Sequence, residues 1–346
     1  MLYRKELEQI DLSTSDPQAV DMMQDVLTTG IELEVTGTFT ISGGSTSGTV
    51  LAETPHNLIE WVMCERDSDE FVGRIPGQML AALQRYTLQN PPRFTTIPDG
   101  DAAATAVSAR YFIPFSNPLI VNPFETVGYF APAASTFKLH VKRIATVDID
   151  SFTTGSDRTG VLTVPQVRVF QHYAKTPTAY RPQYLPRYSV ITSDAITASQ
   201  DAFRFNMEAR TNIRLAATLL QESRGGLGVE DIVGNVTLRS DRDIMIDGIP
   251  AATLRAREDL FYPGIDGSAG TTQVGTYQGM PLGYTMLNWV SDHVGGRWGQ
   301  GRTRQAPAAD KLRHLRLEMG VTRTSGTELI RALNMGLETV PGWTRL

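Results

Sequence analysis

Arg74-Ile75-Pro76-Gly77-Gln78-Met79-Leu80-Ala81-Ala82-Leu83 has a second version late in the chain, Gly248-Ile249-Pro250-Ala251-Ala252-Thr253-Leu254-Arg255-Ala256-Arg257. Ile75 and Ile249 lie 174 positions apart, one more than half of the 346 residues. A segment that returns at half the chain length points to a fold written twice. With the chain shifted by 174 and no gap, Glu34 meets Glu208, Val62 meets Val236 and Asp67 meets Asp241. Phe39 and Ile41 fall on Ile213 and Leu215, and Leu58-Ile59 on Ile232-Val233. The run from Tyr111 to Phe115 falls on Thr285 to Trp289. Near the end Val167-Arg168 resembles Ile330-Arg331, which needs a deletion in the second half.

Each Ile-Pro pair starts a predicted helix, since proline is tolerated where the first helical N–H has no partner anyway. Met79, Leu80, Leu83 and Tyr86 make one face of the first helix, and Pro91-Pro92 stops it. Leu254 and Phe261 make a face of the second, which Pro263-Gly264 ends. Around these helices the period is two. Ile31, Leu33, Val35, Phe39 and Ile41 alternate with Glu32, Glu34, Thr38 and Thr40. That is the pattern of a half-buried strand. Leu58 to Cys64, Phe71-Val72, Tyr111 to Phe115, Phe137 to Lys142 and Val167 to Phe170 continue the first half as strands. In the second half the strands are Phe203 to Leu215, Ile232 to Leu238, Ile244 to Ile246, Tyr284 to Val290, Leu315 to Val321 and 329–340. Long Pro, Gly, Ser and Ala-rich loops at 91–106 and 116–135 separate them, the kind that carries function or interfaces.

Strands do not alternate with helices, so a parallel sheet is not expected. Unequal long loops favour sandwiches with crossing connections. The predicted fold is all-β: two consecutive eight-stranded jelly-roll sandwiches, each with an inserted α-helix, plus an N-terminal helical arm. The arm is residues 1–29, where Asp16-Pro17 starts a helix carrying Val20, Met23 and Val26, and Gly30 ends it. It either packs on its own domain or reaches a neighbouring subunit or a membrane surface. The first jelly roll is 30–178, a stiff linker with Pro182 and Pro186 is 179–195, and the second jelly roll is 196–346.

Composition bounds the partners. A hydrophobic fraction of 41% and a charged fraction of 20% describe a globular chain, long enough for two domains. A net charge of −5 gives no whole-chain basic field, so no specific nucleic-acid binding is expected. Cys64 is the single cysteine, which excludes an intrachain disulfide and a cysteine-rich zinc site. No apolar run reaches the length of a membrane span, and the first residues lack the apolar core of a secretory signal. A chain that is soluble when made is the expectation.

Two consecutive jelly rolls with paired Ile-Pro helices and an N-terminal arm resemble a double jelly-roll major capsid protein of tailless icosahedral viruses with an internal membrane, phages included. The resemblance covers roughly residues 30–346 and rests on architecture and on those helices. It implies a homotrimer whose six jelly rolls make a pseudo-hexagonal capsomer, with loops as outer towers and termini toward the membrane. Implied partners are neighbouring capsomers, penton or vertex proteins and minor membrane proteins, with the arm in reach of the internal membrane. It implies synthesis as a soluble chain in the host cytoplasm and localisation in the virion. A two-domain β-sandwich carbohydrate-binding or carbohydrate-hydrolysing protein is the alternative, and would show exposed aromatics beside paired carboxylates.

No catalytic, cofactor-binding or metal residue is assigned, and no enzyme activity is expected. His56, His140, His172, His293 and His314 are scattered, unlike the clustered ligands of a metal enzyme. His140 and His314 share the 174 spacing and read as equivalent structural positions. Asp67, Asp69 and Glu70, with Asp241 and Asp243, form acidic turns where calcium is the sharper reading and solvated carboxylates the plainer. Asp148 and Asp150 begin like a calcium loop, but Thr159 stands where its last ligand belongs. No Gly-x-Ser-x-Gly elbow is evident. The Gly-rich basic run Gly295 to Arg304 reads as a contact ordered on assembly, a mobile surface loop, or a site for nucleic acid or lipid head groups. Trp61 and Trp289 read as core; Trp298 and Trp343 complete the tryptophans.

Overall fold

The period-two stretch from Ile31 to Ile41 lies in one of the two 16-residue strands of the first half, and all five of its apolar side chains are buried. The computed structural model describes residues 2–42, 50, 54–88, 95, 97, 104–115, 128–131, 134–145, 159–175, 184–206, 213–224, 227–239, 244–255, 283–288 and 316–339. Apart from Gly128, which groups with the second, these divide into two compact units, one ending at Lys175 and the other beginning at Tyr184.

The first unit runs β1 (Leu2–Asp11), β2 (Gln18–Asp21), β3 (Leu27–Ser42), the one-turn α1 (Thr54–Asn57), β4 (Ile59–Arg66), β5 (Asp69–Ile75), α2 (Gly77–Leu88), β6 (Ala104–Pro114), β7 (Phe137–Arg143) and β8 (Thr159–Ala174). Its strands form two four-stranded sheets, in the orders β1-β8-β3-β6 and β5-β4-β7-β2. Apart from the β4–β5 hairpin, each strand passes to the opposite sheet from its predecessor. That crossing pattern is a jelly roll.

The second unit runs β9 (Tyr184–Thr192), β10 (Gln200–Asn206), β11 (Ile213–Arg224), the two-residue β12 (Leu227–Gly228), β13 (Val233–Arg239), β14 (Ile244–Pro250), β15 (Tyr284–Asn288), β16 (Arg316–Val321) and β17 (Glu328–Thr339). Here β9-β17-β11-β15 make one sheet and β10-β16-β13-β14 the other, with β12 added to the end of β11. Setting β12 aside, the second unit repeats the strand order of the first. Residues 251–255 are helical, directly after β14, just as α2 follows β5.

Packing explains the pattern. In the first unit Phe71, Phe115, Tyr129 and Phe137 form an aromatic cluster, with Phe71 stacked on Tyr129 at 4.0 Å between ring centres. Burying each such ring is worth about 1.5 to 3 kcal/mol. In the second unit Phe205, Leu220, Val236, Leu238, Leu254, Leu287, Leu317, Met319 and Ile330 belong to one core. The four expected face residues of α2 are buried, and so are Ala81 and Ala82. α1 packs so tightly on α2 that a Cβ at Gly77 would lie 2.1 Å from the His56 carbonyl oxygen. The matching position in the second unit is Ala251.

The structure corrects three expectations. The N-terminal helical arm of 1–29 is absent: residues 2–11 and 18–21 are strands β1 and β2 of the first jelly roll, which therefore begins before residue 30. Val20 and Met22 are both buried, a period of two that the wider spacing of Val20, Met23 and Val26 concealed. Rather than reaching out to a membrane or a neighbour, β1 is paired along its length with β8. The linker of 179–195 contains β9, which pairs with β17 from Tyr184 to Thr192, so the second jelly roll starts before residue 196. Pro186 removes one N–H but not the extended geometry, and Leu185 and Tyr188 beside it are buried. Finally, the shift of 174 holds only from β4 and β13 through the helices to β6 and β15. β3 ends at Ser42 and β11 at Arg224, 182 positions later, so Phe39 and Ile41 do not correspond to Ile213 and Leu215. The matches of Glu34 with Glu208 and Asp67 with Asp241 involve partners outside the described residues.

Candidate functional site

The three described histidines do not converge. His56 is buried in α1, with Nδ1 2.8 Å from the Tyr111 hydroxyl on β6. Burial pushes its pKa down to about 3, so it is a neutral core residue. His140 on β7 stands 3.1 Å from Glu65, and His172 on β8 stands 2.9 Å from Glu32. His293 and His314 lie outside the described residues. Among the described residues no three His, Cys, Asp or Glu side chains come together as a metal site. Cys64 is buried in β4, and burial pushes its thiol pKa up.

The first acidic turn is structural. Asp67 and Ser68 adopt positive φ at the β4–β5 hairpin. One Asp67 carboxylate oxygen accepts the N–H groups of Ser135 at 2.6 Å and Thr136 at 2.9 Å, which ties the approach to β7 onto the hairpin. Glu70 pairs with Arg74. Asp241 and Asp243, Asp148 and Asp150, and the run from Gly295 to Arg304 are outside the described residues. Thr159 opens β8, with its hydroxyl against Ser42. Trp61 departs from the core expectation: it is half-buried under the Arg74 guanidinium, 5.3 Å from the ring centre. Trp289, Trp298 and Trp343 are not described.

Sheet faces carry the organised polar chemistry. On β1-β8-β3-β6, the inward Ile31, Leu33 and Val35 of β3 leave Glu32 and Glu34 on the other face. There Arg168 reaches Glu6 at 2.8 Å and Glu34 at 3.2 Å, Arg110 reaches Glu34 at 2.6 Å, and Arg4 reaches Glu32 at 3.0 Å. Hydrogen bonding to Arg168 holds the Glu6 carboxyl below its usual range. Arg4 also lies 3.7 Å over the Phe170 ring, so the network ties the charged strand β1 to β8.

Among the described residues the second unit buries two carboxylates. Glu222 on β11 is 1% exposed; it receives Arg255 at 2.7 Å and the N–H groups of Ile232 and Val233. Burial raises its pKa against the pull of those donors. Glu328 opens β17 fully buried; it accepts N–H groups from Thr324, Ser325 and Gly326 and pairs with Arg224. Neither carboxylate was singled out in the sequence. No local pattern marks them: Glu222 stands in the mostly polar stretch Gln221-Glu222-Ser223-Arg224, and Glu328 follows the polar run Thr324 to Thr327. Both hold loops, Glu222 the entry to β13 and Glu328 the turn before β17.

Neither a family model nor a curated protein matches the sequence. Solved structures do. The crystal structure of the STIV MCP gives a TM-score of 0.68 at 11% identity, over 98% of this chain and 97% of that one. The atomic structure of Sulfolobus Turreted Icosahedral Virus gives 0.67 at 13% identity, over 98% and 91%. The major capsid protein P2 from Bacteriophage PM2 gives 0.57 at 11% identity, over 100% and 99%. These are double jelly-roll major capsid proteins. At such identity the likeness establishes a shared fold: two jelly rolls in one chain.

Proposed function

We propose that this chain is a viral major capsid protein, a structural subunit that self-assembles and performs no catalysis. The carrying observation is the pair of eight-stranded jelly rolls with one strand order, matched over nearly the full length of the STIV MCP. The finer reading is a homotrimer. Hexagonal tiling needs six similar edges, and three copies of a doubled domain supply six from one gene. A closed trimer also covers side surfaces that a lone sandwich would expose. Trimers would then join neighbouring capsomers in an icosahedral shell around an internal membrane, with vertex and minor membrane proteins as further partners. The protein would be made soluble in the host cytoplasm and end in the virion. Mass measurement of the purified chain and imaging of its assemblies test this. The expected result is a particle of three 38.0 kDa chains that goes on to form shells or sheets. A chain that stays monomeric at every concentration sinks the proposal.

A further inference from the structure

The sheets β5-β4-β7-β2 and β14-β13-β16-β10 occupy the same place in the two jelly rolls, yet their polar faces carry charge differently. In the first, each cationic or titratable side chain of β7's polar face has its own carboxylate: Lys138 with Asp21 at 4.0 Å, His140 with Glu65 at 3.1 Å and Lys142 with Glu60 at 2.8 Å. In the second, three arginines crowd a single carboxylate. Glu318 on β16 has Arg316 at 2.9 Å, Arg204 of β10 at 3.2 Å and Arg239 of β13 at 3.2 Å. Among the described residues no other acid is in ion-pair range of these three. Arg239 and Arg316 also stand directly opposite each other in the β13–β16 ladder, where like charges repel. In both, Nε is the buried atom that approaches Glu318, and it makes no hydrogen bond there. The cluster thus holds two positive charges in excess, in a chain whose net charge is −5.

The complement lies in the same sequence. Residues 11–25 contain Asp11, Asp16, Asp21 and Asp25 and no Lys or Arg. All four aspartates are exposed, and Asp21 has only the distant Lys138 as an ion-pair partner among the described residues. β2, inside this segment, is the outermost strand of its sheet in the first unit.

We propose that the acidic β2 segment of one copy docks on the Arg204–Arg239–Arg316 face of a second copy. The proposal rests on the capsid reading above, which supplies the second copy. Guanidiniums bind carboxylates in a directional, two-pronged way, so the contact fixes orientation as well as adding attraction. The two patches are different, so the contact is head-to-tail. One copy is left with a free arginine face and the other with a free acidic segment, which is what a closed ring or a continuing layer needs.

Sedimentation velocity of the full-length chain tests this. One variant reverses the arginine face, Arg204→Glu with Arg316→Glu; a second reverses the acidic segment, Asp16→Arg with Asp21→Arg; a third carries all four changes. Each single-sided reversal should weaken self-association at least about tenfold, because like charges then face each other. The fully reversed chain should recover it. Arg204→Gln, a mild change at an exposed side chain, should weaken association about twofold to fivefold. Thermal unfolding of each variant confirms that it folds. If the wild type associates and the arginine reversal associates equally well, or if the fully reversed chain is no better than either half, the contact is wrong while the capsid reading stands. If the wild type binds anionic vesicles or an oligonucleotide through these arginines while self-association ignores them, the partner is another anion and the proposal fails. A wild type that never associates ends both readings.

Discussion

His56 Nδ1 and the Tyr111 hydroxyl lie 2.8 Å apart with both rings buried, joining α1 to β6 inside the first jelly roll. The pair makes the core sensitive to acid. Burial pushes His56 from 6.5 down to about 3. The unfolded chain takes up this proton near pH 6.5 and the folded chain only near pH 3. Between those values the unfolded state binds more protons, so stability falls as pH drops, by about 3 to 5 kcal/mol toward pH 3. Denaturant unfolding of wild type and His56→Gln at pH 7, 5 and 4 should show the wild type losing more. Parallel pH curves for the two would remove His56 as the cause.

Gly77→Ala should destabilise the first unit by about 1 to 3 kcal/mol, although alanine is the better helix former. The new methyl would meet the His56 carbonyl oxygen at 2.1 Å, and α1 or α2 must move. In the second unit the opposite change, Ala251→Gly, should also destabilise, by about 1 kcal/mol, through lost helix propensity. Melting temperatures decide: a Gly77→Ala chain more stable than wild type would rule out the close approach.

Glu222→Ala should be among the most damaging changes in the second unit. It leaves Arg255 without its 2.7 Å partner and frees the N–H groups of Ile232 and Val233. Breaking a buried ion pair in this way costs about 3 to 5 kcal/mol. Hydrogen exchange should show faster exchange at Ile232 and Val233 before the rest of the unit responds.

Glu328 gives a second acid-sensitive element. Burial alone would raise its pKa, but the N–H groups of Ser325, Thr324 and Gly326 outweigh burial and hold the carboxyl below its usual range. Its folded pKa is below the unfolded 4.5, so its stabilisation is present above pH 4.5 and is lost as pH falls further. Glu328→Gln should abolish this part of the acid sensitivity and speed hydrogen exchange at residues 324–326. Unchanged exchange there would show that the carboxylate does not hold the turn.

How far each feature could be read depends on how local its cause is. The strands around Ile31–Ile41, Phe137–Val141 and Leu317–Val321 were legible, because one face of each meets the core and alternation follows from the pleat. α2 was legible from Pro76 and four apolar residues at helical spacing. Glu222 and Glu328 were not, because a buried carboxylate is tolerated only where folded loops aim N–H groups at it. The arginine cluster on Glu318 was equally hidden, since its members come from β10, β13 and β16.

Alone, the sequence determined that the chain is all-β, that its fold is written twice, and that a helix follows the same strand in each. Those facts follow from hydrophobic period and from a repeat at half the chain length. Only the tertiary structure decided where each jelly roll begins. β1 shows little alternation: Arg4 and Glu6 face Glu32 and Arg168, and Glu6 and Arg168 are 162 positions apart. β9 has a proline within it, yet its register with β17 runs unbroken. A strand is stabilised across the ladder by residues far away in the chain, so these two strands could be recognised only once β8 and β17 stood beside them.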